Sequence, residues 1–279
     1  MAGSFNQDPQ SHTIDLPGGR FHYLSWGTQD TDRPSALLLH GITSSAQSWV
    51  RVGPALADRY RVYALDMRGH GNSLKSPAGT YSLRQTADDA QALMALLHLS
   101  RPVLIGHSWG GATALVLASG DGIDQPAPAF SKIILEDPAC NFGQGDAAKR
   151  AIPYTKDIGR PADELRPELI ANSPGWTEAD IEGKLDALSK VSREGVISVF
   201  EQAGQMGNLL PLLARLTAPT LLLRADPDDG TTLPGPLWDE AQSYLPAHSK
   251  AVQIDGATHN IHRHKFDAFM QAVNDFLRA

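Results

Sequence analysis

Gly106-His107-Ser108-Trp109-Gly110-Gly111 is the stretch on which the reading of this sequence turns. Ahead of it, Pro102-Val103-Leu104-Ile105 is a short apolar run of the kind a buried strand has. Behind it, Ala112-Thr113-Ala114-Leu115-Val116-Leu117-Ala118 reads as a tightly packed helix. A G-x-S-x-G pattern between a strand and a helix presents its serine on a sharp turn, with the hydroxyl exposed for attack. Such a turn pushes the serine to positive φ, and the flanking glycines give the neighbouring backbone room to close. The hydroxyl then stands at a helix N-terminus, where N–H groups favour developing negative charge.

Working outward, strands and helices alternate. Ala36-Leu37-Leu38-Leu39 is an uninterrupted apolar run, as a parallel strand covered on both faces should be. Arg61 to Asp66 and Lys132 to Asp137 read as further strands, and Phe21 to Trp26 as an early one after a Pro17-Gly18-Gly19 turn. Ser44-x-x-Gln47 predicts a capping box for a helix over 46–58, and Ser82-x-x-Gln85 another for a helix over 82–99. Residues 1–12 read as a loose arm. From Ala139 to Ala214 no strand is expected; Ile181, Leu185, Leu188 and Val191 recur at helical spacing behind Thr177-x-x-Asp180, and prolines divide the stretch. Alternation resumes with Pro219 to Leu223, a helix over 236–245, a strand at Ala251 to Ile254, and a closing helix with Phe266, Phe269, Met270, Val273, Phe276 and Leu277 on one stripe. The expectation is an α/β fold, a mostly parallel central sheet flanked by helices. Residues 1–138 and 215–279 form its core, and 139–214 form a helical insertion.

Composition sets the outer bounds. A chain of 279 residues, 42% hydrophobic and 20% charged, has ample material for one large globular unit. A formal net charge of -7 argues against nucleic acid or an anionic membrane as a partner. Cys140 is the only cysteine, so no intrachain disulfide can form. The first nine residues lack the features of a signal peptide and no apolar run would span a membrane, so a cytoplasmic location is expected.

A serine hydroxyl attacks at neutral pH when a base removes its proton, and a histidine serves when an acid fixes its tautomer. In an open parallel sheet these groups come from loops at the carboxyl ends of strands. His259, in Asp255-Gly256-Ala257-Thr258-His259 just after a strand, is the candidate base. The acid has two sources: Asp228 after the strand ending near Leu223, or Glu136 or Asp137 after the strand before the insertion. Asp226 and Asp229 read as turn caps. His262 and His264 complete a His-x-x-His-x-His run, but no acidic or cysteine ligand clusters with it and Arg263 and Lys265 are interleaved, so no metal is expected there. Those two histidines are expected at the surface of a first helical turn. Arg68 is read as a salt-bridged loop residue, and His40, His70 and His107 as residues that serve the loops.

From about residue 20 onward the chain resembles the α/β-hydrolase-fold serine hydrolases. The residues that carry the resemblance are Leu39-His40-Gly41, Asp66-Met67-Arg68-Gly69-His70-Gly71-Asn72-Ser73, the Ser108 turn, Pro219 to Asp228, and Gly256-Ala257-Thr258-His259. The resemblance favours Asp228 as the acid, although Ala225 stands where the family's G-x-x-D segment has glycine, and it leaves Glu136 as the reserve. It also implies an oxyanion hole from the backbone N–H groups of Trp109 and Ile42, and a lid formed by the insertion. Trp176, Phe142, Tyr154, Phe200 and Met206 are candidates for its apolar wall.

The implied activity is hydrolysis of a small carboxylic ester through an acyl-enzyme on Ser108, with no cofactor and no metal. A serine at 108 argues against relatives with an aspartate nucleophile. On the same residues a lactonase or a carbon–carbon bond hydrolase remains open, as does a slow-turnover ligand sensor.

Overall fold

The computed structural model describes residues 8–28, 32–123, 126–143 and 146–279. Eight strands form one sheet: β1 (Gln10–Leu16), β2 (Gly19–Trp26), β3 (Ser35–Leu39), β4 (Arg61–Leu65), β5 (Val103–His107), β6 (Lys132–Glu136), β7 (Thr220–Arg224) and β8 (Lys250–Gln253), in the order β1-β2-β4-β3-β5-β6-β7-β8. β1 pairs antiparallel with β2, and β2 antiparallel with β4. The other pairs are parallel, with β3 at the centre between β4 and β5. This is the α/β-hydrolase sheet.

The two faces of the strands explain the unbroken apolar runs. Leu37, Leu39, Leu104 and Leu135 face a layer made by helices α2 (Leu83–Leu96) and α3 (Trp109–Ser119). Leu38, Ile105, Ile134 and Leu223 face the opposite layer, into which α10 (Phe266–Arg278) sends Phe269, Val273 and Phe276. Side chains alternate along a strand, so covering both faces requires apolar residues at consecutive positions. The Ser82 cap of α2 forms as the sequence predicts, with Gln85 reciprocating.

Three local expectations give way. The part of the 1–12 arm that is described is not loose: Gln10–Leu16 is a strand in register with β2, and residues 1–7 lie outside the described set. The helix over 46–58 is instead a 3₁₀ turn at Ala46–Trp49 followed by a short α1 (Val52–Leu56). Its cap is Ser45, whose hydroxyl accepts from Gln47 N, rather than Ser44. Asp66 Oδ1 also accepts from Ala46 N at 2.6 Å, and this ties the turn to the loop after β4.

Between β6 and β7 lie four helices, α4 (Ala147–Thr155), α5 (Ala162–Asn172), α6 (Glu178–Lys190) and α7 (Arg193–Ala203). The helical spacing behind Thr177-x-x-Asp180 is α6, which Thr177 caps with Asp180 reciprocating. α8 (Gly235–Tyr244) and α9 (Ile261–His264) complete the helices. Among the described residues no helix is long and apolar enough to cross a membrane.

Candidate active site

The loops after β3, β4, β5, β6 and β8 meet at the carboxyl edge of the sheet, and the candidate residues sit on them. Ser108 adopts φ 54 and ψ -118, a conformation a non-glycine residue holds only when its surroundings fix it. Three backbone bonds do so: Ser108 N donates to Glu136 O, and Ser108 O accepts from Ala112 N and Ala139 N, all at 3.0 Å. The neighbouring glycines are required by contact. A Cβ on Gly106 would lie 2.4 Å from Gly110 O, and one on Gly110 would lie 2.3 Å from Leu39 O.

His259 meets Asp137. The distance from His259 Nδ1 to Asp137 Oδ2 is 2.6 Å. Since a carboxylate only accepts, Nδ1 carries the proton and Nε2 is left with its lone pair. Asp137, fully buried at φ 40, is held by Thr231 Oγ1 at 2.5 Å and Thr232 N at 3.1 Å. Asp137 N donates to Leu223 O at 2.8 Å, which locks the turn to the end of β7.

Asp228 is not brought to His259. It lies exposed in the 3₁₀ turn Pro227–Asp229, which Asp226 organises by accepting from Asp228 N at 3.0 Å and from Gly256 N at 2.7 Å. The turn directs residue 228 outward, so the loop after β7 holds the base of the histidine loop while the turn after β6 supplies the carboxylate that meets His259. Glu136, the reserve, faces the other side of its strand. Its Oε1 accepts from His262 N at 2.9 Å and pairs with His262 Nδ1 at 2.8 Å. His262 is therefore a core residue, stacked on Trp49 at 4.6 Å, and the expectation that it lies at the surface is corrected. His107, Glu136 and His262 bring one ligand atom each within 4.8 Å of one another. His107 Nε2 donates to His259 O at 3.0 Å, so this buried trio braces the loop that carries His259. His264 takes no part in it, and its Nδ1 accepts from Thr258 N at 3.0 Å.

Two more histidines tie loops together by accepting. His40 Nδ1 donates to Gly41 O at 2.8 Å and its Nε2 accepts from Met67 N at 3.1 Å. His70 Nδ1 donates to Arg68 O at 2.9 Å and its Nε2 accepts from Thr43 N at 3.3 Å. In each the accepting role of Nε2 ends on protonation. Burial, the largest cause, lowers His40 to about 4 and His70 to about 3. Burial likewise holds His107 and His262 well below 6.5. Arg68 is salt-bridged through two nitrogens to Asp89 at 2.6 and 2.7 Å.

Ser108 and His259 open onto one cavity of about 220 Å³. Ile42 lines it, and Trp109 is the first residue of α3, where a helix leaves its N–H groups without intrahelical partners. Of the apolar wall candidates, Trp176 and Tyr154 line the cavity, whereas Phe142 and Phe200 pack edge-on against each other at 6.4 Å. Met206 lines a separate hollow together with Ser82 and Leu212. Among the lining residues that the sequence reading did not assign to the site are two cations, Lys184 on α6 and Arg263 on α9. Nothing in their local sequence marks them, since Lys184 reaches the site by meeting Thr43, and Arg263 by meeting Ser44, both in the loop after β3. Cys140, three residues beyond Asp137, is fully buried; burial and then the Asp137 carboxylate push its thiol up to about 12.

The Alpha/beta hydrolase family model matches residues 36–272. The chain is 28% identical to the magnesium-chelatase 30 kDa subunit of Rhodobacter capsulatus, over 91% of each chain. It is 27% identical to N-formylmaleamate deformylase of Pseudomonas putida, over 95% of each. Among solved structures, that of E-2-(acetamidomethylene)succinate hydrolase aligns over 98% of this chain and 100% of its own, with TM-score 0.79 at 20% identity, a likeness of fold.

Proposed function

Because the chain belongs to the alpha/beta hydrolase family, we propose that it is a serine hydrolase that cleaves a small carboxylic ester through an acyl-enzyme on Ser108. The observation that carries this reading is the pairing of His259 Nδ1 with buried Asp137 at the mouth of the cavity onto which Ser108 opens.

In this mechanism Ser108 Oγ attacks the ester carbonyl carbon while His259 Nε2 takes the hydroxyl proton. Asp137 keeps the Nδ1–H tautomer and stabilises the imidazolium that forms. The carbonyl oxygen, now negative, is received by the N–H groups of Trp109 and Ile42; one such donor is worth roughly 3–4 kcal/mol in comparable hydrolases. Collapse expels the alcohol, which takes the proton from Nε2. Water then enters, loses its proton to the same nitrogen, and frees the acid and Ser108. Helices α4–α7 act as a cap, with Trp176 and Tyr154 excluding water from the acyl group.

The test is covalent. A fluorophosphonate probe is expected to add a single label, and peptide mass analysis is expected to place it on Ser108. Ser108→Ala is expected to remain folded and unlabelled. Labelling that persists in Ser108→Ala removes the nucleophile from this reading.

A further inference from the structure

The cavity of Ser108 is lined by two cations, Lys184 and Arg263, that the protein pairs only in part. Lys184 Nζ donates to Thr43 O at 2.8 Å and Thr43 Oγ1 at 2.9 Å, both uncharged oxygens. Among the described residues no carboxylate lies within salt-bridge distance of it. An ammonium has three N–H donors, so one remains for a ligand. Arg263 is 2% exposed. Its guanidinium lies over the Trp176 ring at 4.3 Å and reaches Ser44 Oγ at 3.3 Å. Its Nε has no hydrogen-bond partner, and the nearest carboxylate oxygen, Asp180 Oδ1, is 3.9 Å away. The bonds to Asp180, from Arg51 at 3.2 Å and from the Thr177 cap at 2.7 and 2.9 Å, all fall on Oδ2, and its Oδ1 faces Arg263 beyond hydrogen-bond distance. The one carboxylate lining the cavity, Asp157, is bonded to Arg160 at 2.8 Å.

Partly desolvated cations are ordinarily matched by an anion or by acceptors that saturate their donors. Here neither match is complete, and both cations open onto the space beside the nucleophile. We propose that Lys184 and Arg263 form an anion subsite, so that the substrate of Ser108 carries a carboxylate at a distance from its scissile carbonyl. The subsite rests on the reading of Ser108 and His259 as the reacting groups. The electrostatics agree: burial, and then repulsion from Arg263, lower the Lys184 ammonium to about 7, as expected of a site where a bound anion would restore the charged form. Arg263 supplies the planar donor array that suits a carboxylate, and Lys184 a point charge beside it.

Two pairs of substrates test this. Monomethyl glutarate is compared with methyl 5-methylhexanoate, which replaces the carboxylate by an isopropyl group. 3-Acetoxypropanoate is compared with 3-methylbutyl acetate, which makes the same replacement on the alcohol side. In at least one pair the charged ester is expected to be favoured roughly 100-fold in kcat/KM. Lys184→Met is expected to cut that preference roughly tenfold or more, and Lys184→Arg to restore part of it. A variant that slows both members of a pair equally, leaving their ratio unchanged, shows a structural role and overturns the proposal, as does indifference to charge in both pairs.

A binding measurement keeps this separate from the hydrolase reading. Glutarate is expected to raise the thermal midpoint of the wild type by about 2 °C or more, at ionic strength matched with sodium chloride. Glutaramide and the Lys184→Met variant are expected to show no shift. If Ser108 takes no phosphonate label and glutarate still stabilises, the hydrolytic reading fails and the subsite stands. If Ser108 is labelled and glutarate does nothing, the subsite fails alone.

Discussion

Asp137→Asn is expected to lower kcat on a p-nitrophenyl ester by roughly 10⁴-fold, and Asp228→Asn to leave it within a few-fold of the wild type. The asymmetry follows from position. Asp137 is fully buried 2.6 Å from His259 Nδ1, and an amide there can offer an N–H where the imidazole needs an acceptor, stabilising the wrong tautomer. Asp228 stands on an exposed turn, and the contact recorded for it is its own backbone N–H on Asp226. Steady-state rates of the two purified variants, compared with phosphonate labelling of Ser108, decide the matter. The reverse ranking would return the acid to the loop after β7.

The second large effect concerns pH and stability. His40, His70, His107 and His262 are buried, and all four have folded pKa values lowered from 6.5, by desolvation first. The unfolded chain binds protons at these imidazoles near 6.5 while the folded chain resists, so the unfolded state holds more protons throughout the interval below. Stability is therefore unaffected by these groups above 6.5 and falls as the pH drops beneath it, until about 4 for His40 and about 3 for His70. Well inside its interval each histidine removes roughly 1.4 kcal/mol per pH unit. Glu136 and Asp89, raised by burial first, act in the opposite sense. Urea unfolding at pH 7.5, 6.5, 5.5 and 4.5 is expected to show little change across the first step and a loss of several kcal/mol over the next two. A flat profile from 6.5 to 4.5 would mean that the four imidazoles take up protons in the folded state.

What the sequence made legible is what local chemistry determines. The elbow was readable because its glycines leave a pattern in the chain itself: Gly106 is dictated by Gly110 within the turn, and Gly110 by the close approach of Leu39 on β3. The strands were readable because both sheet faces are covered, which leaves an apolar run in the chain itself. Which carboxylate meets His259 was harder to read. The sequence placed acids on two loops at the correct edge, and the choice depends on backbone angles at the turn. Asp137, at φ 40, turns inward, whereas the 3₁₀ turn at Pro227–Asp229 carries its neighbour outward. Lys184 and Arg263 left no local trace at all. Lys184 meets Thr43 across 141 positions of chain, and Arg263 meets Ser44 across 219. Contacts of that separation are set by how one helix lies over another loop, which no periodicity encodes.

The single cysteine has a practical consequence. Cys140 is sealed beneath the Asp137 turn, and a thiol pushed up to about 12 holds almost no thiolate at neutral pH. A disulfide reagent in solution therefore has nothing to react with until that turn comes apart, and no second thiol in the chain contributes background. The native molecule thus contains its own clock: the rate at which 5,5′-dithiobis(2-nitrobenzoate) develops colour reports how often the turn after β6 opens. Run with and without an occupant of the cavity, the same trace would separate ligands that tighten the turn from those that rest above it.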